Sequence, residues 1–121
     1  MKVLSLFDGI SCGMLALQRA GIPVECYDAF EIDKYAVTVS KRNFPVIVHH
    51  GNVYDGDFTQ FRGYDLLLGG SPCTYWSIAK KDREVDCNGE GFRLFKEYVR
   101  ALEESGCKYF LYENNYSVHQ R

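Results

Sequence analysis

Apolar residues in this chain come as short runs separated by turns and by stretches with helical spacing. Val3-Leu4-Ser5-Leu6-Phe7 predicts a first strand, and Asp8-Gly9-Ile10-Ser11-Cys12-Gly13 a glycine-containing turn after it. Met14, Leu15, Leu17 and Ala20 fit one side of a helix that stops at Gly21-Ile22-Pro23. Val24 to Phe30 predicts a second strand, ending at Glu31. Asp33 is placed to cap a helix over 34–43, with Pro45 behind it. Val46-Ile47-Val48 predicts a short third strand, and Tyr64 to Leu68 a fourth. Thr74 to Glu90 shows little periodicity and carries many charges, the signature of a long loop. Phe95, Tyr98, Val99 and Leu102 recur at i, i+3, i+4, i+7 and predict a helix over 92–105, ended by Gly106. Lys108 to Tyr112 predicts a fifth strand.

Strands that alternate with helices imply an α/β fold: a parallel sheet with helices on both faces. Such sheets bind ligands in a crevice outside the carboxyl ends of their strands. The ends to inspect are therefore those after Phe7, Phe30, Val48, Leu68 and Tyr112.

Composition narrows the picture a little. The chain has 121 residues, enough for one small domain, and no internal repeat or linker. Its 14 basic and 16 acidic residues leave a net charge of −2, without the basic excess of a typical nucleic-acid binder. The five cysteines form no CxxC pair, and His49, His50 and His119 do not complete a metal spacing, so no structural zinc is expected. An odd cysteine count fits reduced thiols in a cytoplasm. The N-terminal apolar run is too short for a signal or a membrane span.

Each strand end carries a residue type with two readings. Gly9 to Gly13 is either a cradle that lets backbone N–H groups approach a ligand or simply a tight turn; it is not GxGxxG. Gly9-Ile10-Ser11-Cys12-Gly13 formally matches the GxSxG nucleophile elbow. It lies on the first strand and lacks the ordered acid and histidine downstream, so we reject that reading. Glu31 is either an acceptor for both ribose hydroxyls of a nucleoside or a solvated charge at a helix start. Asn52 in Asn52-Val53 offers an amide to an adenine edge, or caps a turn. Gly69-Gly70-Ser71-Pro72-Cys73 breaks a buried strand into a loop with a thiol held by proline, either a nucleophile or a small buried apolar side chain. Glu113 is either a carboxyl raised toward neutrality by burial, able to share a proton, or a surface ion pair.

In this order the residues resemble the DNA (cytosine-5)-methyltransferase family, of bacterial or phage type, over essentially the whole chain. Leu6-Phe7-Asp8-Gly9-Ile10-Ser11-Cys12-Gly13 is similar to its first motif, and Glu31-Ile32-Asp33-Lys34-Tyr35-Ala36 to its second. Gly70-Ser71-Pro72-Cys73 with Ser77 looks like the catalytic motif, Arg93-Leu94-Phe95 like the fifth, and Glu113-Asn114 like the sixth. The resemblance implies a Rossmann-like S-adenosylmethionine-dependent methyltransferase fold, truncated after the fifth strand, with residues 1–121 the N-terminal part of the catalytic domain. The target-recognition domain and the C-terminal motifs have no counterpart.

The resemblance also assigns roles. Cys73 would be the nucleophile and Glu113 the acid, supported by Pro72, Ser77 and Asn114. S-adenosyl-L-methionine would be lined by Phe7, Asp8, Gly9, Ile10, Ser11, Gly13, Gly70 and Leu94. Glu31 would take the ribose hydroxyls, Ile32 and Val53 would flank the adenine, and Asn52 would face its amino group. The substrate would be double-stranded DNA with a flipped cytosine, and 74–90 would resemble the family's mobile catalytic loop. The chain alone would be an inactive fragment: truncated, one piece of a split enzyme completed by a C-terminal chain, or a degenerate remnant. No metal and no membrane are implied, and the setting would be the cytoplasm of a bacterial or phage-infected cell. Transfer-RNA cytosine and a non-catalytic cofactor-binding subunit are the alternatives. The sequence departs from the family pattern at Asn52 for Asp, Asn115 for Val and Phe92 for Gly.

Overall fold

A computed structural model describes residues 1–70 and 90–113 of the chain. Five strands form one sheet in the order β3-β2-β1-β4-β5: β1 (Lys2–Leu6), β2 (Cys26–Phe30), β3 (Val48–His49), β4 (Leu66–Gly70) and β5 (Tyr109–Glu113). Every pairing is parallel. Helices α1 (Cys12–Arg19) and α2 (Lys34–Asn43) follow β1 and β2, and α3 (Glu90–Ser105) precedes β5. Two single 3-10 turns, Val53–Asp55 and Phe58–Phe61, stand between β3 and β4.

β1 is central because its side chains are buried on both faces. Leu4 and Leu6 join one core with Phe58, Phe61, Leu94, Tyr98 and Ala101, which places α3 and the 3-10 turns on that face. Val3 joins the other core with Met14, Leu17, Tyr27, Ala29 and Ile47, which places α1 opposite. Full burial of a side chain such as Phe58 or Leu4 contributes about 1.5–3 kcal/mol. Asp33 caps α2 as expected, its Oδ1 accepting from the N–H of Tyr35 at 2.9 Å and of Ala36 at 3.2 Å.

Several details differ from the sequence expectation. β1 runs over Lys2–Leu6 rather than 3–7, because Phe7 turns to φ 55°. β5 runs over Tyr109–Glu113 rather than 108–112, in register with β4 as far as Gly70↔Glu113. α3 starts at Glu90 rather than Phe92. β2 starts at Cys26 rather than Val24, because pairing with β1 begins at Lys2↔Cys26. β3 is Val48–His49 rather than 46–48: Val46 is 74% exposed, and only Val48 and His49 pair with β2. β4 runs over Leu66–Gly70 rather than 64–68, because its register with β5 continues through both glycines to Gly70↔Glu113. Leu15 and Ala20 face outward from α1, which buries only Met14 and Leu17.

Gly69 and Gly70 are needed at the end of β4. A Cβ on Gly69 would stand 2.7 Å from the ring of Tyr98, and one on Gly70 would stand 2.7 Å from the carbonyl of Glu113. The missing side chains let α3 and β5 close onto β4. The Tyr98 hydroxyl completes that closure, 3.1 Å from the Leu67 carbonyl and 3.0 Å from that of Leu111, and shares its proton between them.

Candidate active site

A cavity of about 660 Å³ opens at the carboxyl ends of β1, β2, β4 and β5. It lies where the chain turns from building the sheet one way (β1 to β2) to the other (β1 to β4), the position where open α/β sheets bind ligands. Phe7, Asp8, Gly9, Gly13, Glu31, Gly70 and Glu113 line it. The turn after β1, the end of β2 and the catalytic carboxylate expected at the end of β5 thus share one space.

The turn is shaped by left-handed backbone. Phe7 (φ 55°), Gly9 (φ 61°) and Ser11 (φ 70°) all have positive φ, uncommon for the two residues that are not glycine. Hydrogen bonds hold them there. The Asp8 carboxylate accepts from the hydroxyls of Ser5 (2.6 Å), Tyr27 (2.6 Å) and Ser11. Ser11 Oγ is also 2.5 Å from Ser40 Oγ on α2, and both serines are fully buried. His49 Nε2 closes the row at 3.5 Å from Ser40. Burial, then the charge and hydrogen bond of Asp8, raise the Tyr27 pKa well above its ordinary value, so the phenol stays a proton donor to Asp8. Burial, then the charge of Lys41, lowers that of His49, so the imidazole stays neutral near pH 7.

Glu31 is fixed from three sides. Its Oε1 accepts from the Gly9 N–H at 2.8 Å, and its Oε2 from the N–H groups of Ile32 and Asp33, each at 3.0 Å. A carboxylate has about four acceptor positions, so one remains for a ligand hydroxyl. Gly9 and Glu31 are thereby locked to each other across the mouth of β1 and β2.

The other expected cofactor residues are spread more widely. Ile32 is 71% exposed beside Glu31, free to lie on a flat ring. Ile10 is exposed and lines a neighbouring groove with Leu15 and Phe44. Ser11 is buried behind the turn rather than facing the cavity, as its bonds to Asp8 and Ser40 require. Asn52 is exposed, and its Oδ1 accepts from the Tyr54 N–H at 2.9 Å, capping the first 3-10 turn. Val53 and Leu94, the latter on α3 itself, are buried in the core rather than in the cavity wall. Glu113 was expected to be partly buried; it is exposed at the rim, against Gly70. Pro72, Cys73, Ser77, Asn114 and the loop expected over 74–90 lie outside the described residues, except that Glu90 begins α3.

Ser5, Tyr27 and Ser40 were not singled out from the sequence. Tyr27 and Ser5 read there only as strand residues and Ser40 as a polar residue of a helix, so nothing local marked them. Among the described residues, no group of three His, Cys, Asp or Glu side chains is placed to hold a metal ion.

This is a doubly wound parallel α/β fold with a nucleoside-sized cavity at its switch point. A family model described as C-5 cytosine-specific DNA methylase matches residues 1–120, and the chain belongs to that family. Its relatives include the orphan methyltransferase M.SPRI of Bacillus phage SPR, 38% identical over 94% of this chain and 26% of the phage protein. The type II methyltransferase M.HgiCII of Herpetosiphon aurantiacus is 34% identical over 93% of this chain and 25% of its own length. The chain therefore spans about a quarter of the length of the curated relatives it matches. Among solved structures, a triple mutant of Spodoptera frugiperda DNMT2 superposes with a TM-score of 0.75 at 23% identity, over 99% of this chain and 37% of that one. The Dnmt2 methyltransferase of S. pombe gives a TM-score of 0.72 at 21% identity, over 99% of this chain and 38% of that one. At those identities the likeness establishes the fold.

Proposed function

We propose that the protein carrying this chain transfers a methyl group from S-adenosylmethionine to carbon 5 of cytosine in DNA. The observation that supports it most is the convergence of Glu31, the Asp8-Gly9 turn and Glu113 on one cavity, beside Gly70, from which the chain leads into Pro72-Cys73. The residues present fit the cofactor. The cavity has the volume of a small-molecule site, Glu31 keeps an acceptor for a ribose hydroxyl, and Ile32 offers an exposed apolar surface beside it. Asp8 and Glu31 bring carboxylate charge to a ligand that carries a sulfonium. Bound there, S-adenosylmethionine would supply an electrophilic methyl group, with a neutral thioether as the leaving group.

The remaining steps belong to side chains of this chain. The Cys73 thiolate adds to carbon 6 of the cytosine, which makes carbon 5 enamine-like and able to accept the methyl group. Glu113 holds or shares a proton at ring nitrogen 3 and offsets the charge that the addition creates. Loss of the carbon 5 proton and cleavage of the bond between carbon 6 and sulfur restore the aromatic ring and release Cys73. A paired base cannot be reached within the duplex, so the cytosine is read flipped out. Segments beyond this chain, in a recognition domain or a complementing chain, hold the DNA, and the setting is the cytoplasm of a bacterial or phage-infected cell.

Bisulfite sequencing of DNA treated with the full-length protein and S-adenosylmethionine tests this. Protected cytosines in a fixed context are expected. Protection found only in a transfer RNA treated in parallel would replace DNA with RNA as the substrate, and protection in neither would overturn the proposal.

A further inference from the structure

The turn after β1 lines the cavity with Phe7, Asp8, Gly9 and Gly13, and it stands in a conformation that its residues do not favour. Phe7 and Ser11 both have positive φ without being glycine. Such backbone persists only where the surroundings hold it. Ser11 supplies part of that hold. It is the N-cap of α1, where a serine hydroxyl ordinarily bonds to the first turn of its own helix. Here it makes no such bond and is spent instead on Asp8 and on Ser40 of α2.

The donors follow from valence. A carboxylate only accepts, so the single Ser11 hydroxyl proton goes to Asp8 Oδ2. Ser40 therefore donates to Ser11 across 2.5 Å. With its proton spent, Ser40 can only accept from His49, whose Nε2 at 3.5 Å carries the hydrogen. His49 Nδ1 is then a bare lone pair, in keeping with its being buried and without a partner among the described residues. Every proton of the row points toward Asp8, which lines the cavity. Both serines are fully buried, so bulk water cannot stand in for either hydroxyl. Gly9, next to Asp8, donates its N–H to Glu31 at 2.8 Å, which extends the hold to the end of β2.

We propose that Ser40 is a positioning residue for the cofactor site. From α2, and without lining the cavity itself, it holds Ser11 and through it Asp8, and so keeps the turn after β1 in the shape that a ligand meets. The hold is cooperative, because donation by Ser40 polarises the Ser11 hydroxyl and strengthens its bond to Asp8. The proposal rests on the cofactor reading above and deepens it.

The test is calorimetric binding of S-adenosylhomocysteine to the full-length protein and to its S40A, S11G and S11G/S40A variants. S40A is expected to bind about fivefold more weakly than the unchanged protein, the size of one hydrogen bond. S11G removes the hydroxyl through which Ser40 acts, while glycine adopts the positive φ at no steric cost. It is expected to lose at least as much affinity as S40A, and the double variant no more than S11G. A residue that merely packs α2 would give S40A the same further loss in either background, and that result overturns the proposal. Unchanged affinity in S40A overturns it as well. Should S40A not fold, S11G alone decides: the expected loss supports the proposal, and undiminished affinity overturns it, because Ser40 reaches Asp8 through Ser11. Absence of binding by the unchanged protein overturns the cofactor reading itself, an outcome separate from all of these.

Discussion

Glu31 shows how one carboxylate can organise a site. It receives three backbone N–H groups, from the turn after β1 and from the entry to α2, and so ties two strand ends together. Glu31→Ala removes the ligand acceptor and frees the Gly9 N–H at once. Affinity for S-adenosylhomocysteine is expected to fall at least about tenfold by calorimetry, consistent with losing a charge-assisted hydrogen bond. His49 makes a different prediction. Its pKa in the folded chain is lowered, chiefly by burial, so the unfolded chain binds the proton more readily. Stability from this group is therefore complete above about pH 6.5, the unfolded value, and declines as pH falls through the window below it. Thermal midpoints measured from pH 7.5 to 5.5 should fall more for the unchanged protein than for His49→Gln; equal slopes would remove His49 from the account. The place of Glu31 was legible in the sequence, because it directly follows the run that forms β2. The Asp8, Ser11 and Ser40 row was not, since Ser11, in the turn before α1, meets Ser40 of α2 across the fold and no local pattern encodes that.

At the scale of elements, the end of β4 decides how β5 and α3 approach the cavity. Gly69→Ala would push a methyl to 2.7 Å from the Tyr98 ring, whose hydroxyl is held by two carbonyls and cannot swing away freely. A loss of about 1–3 kcal/mol is expected from such overpacking, read as a lower midpoint in urea. Gly70→Ala collides with the Glu113 backbone instead, so its expected signature is a loss of turnover larger than its loss of stability. A variant with normal turnover would show that the close approach of β4 and β5 does not set the position of Glu113. Alternating strands and helices were readable from periodicity, as were the Asp33 cap and the extent of α3 to within two residues. Strand limits were less so. Glycines lower strand propensity, which hid the continuation of β4 through Gly69 and Gly70, yet pairing with Tyr112 and Glu113 keeps both in the sheet. The exposed Val46 illustrates the converse, a β-branched residue with no strand to pair with.

For the whole molecule, the parallel class followed from the alternation, while the order β3-β2-β1-β4-β5 depends on long-range register that a linear pattern does not contain. That order creates the cavity, because it places the ends of β1 and β4 side by side at the switch point. A net charge of −2 supplies no broad electrostatic attraction for DNA, so most phosphate contacts are expected from segments beyond this chain. The chemistry assigned here still hinges on one thiol. The direct measurement is intact-mass analysis of the full-length protein incubated with S-adenosylmethionine and a duplex bearing 5-fluorocytosine at the target site found by bisulfite sequencing. Fluorine at carbon 5 cannot leave as a proton does, so the methylated adduct should persist as a covalent protein–DNA species that maps to Cys73 and is absent from Cys73→Ser. An adduct that survives Cys73→Ser, or none from a protein that methylates the unfluorinated duplex, would contradict the account.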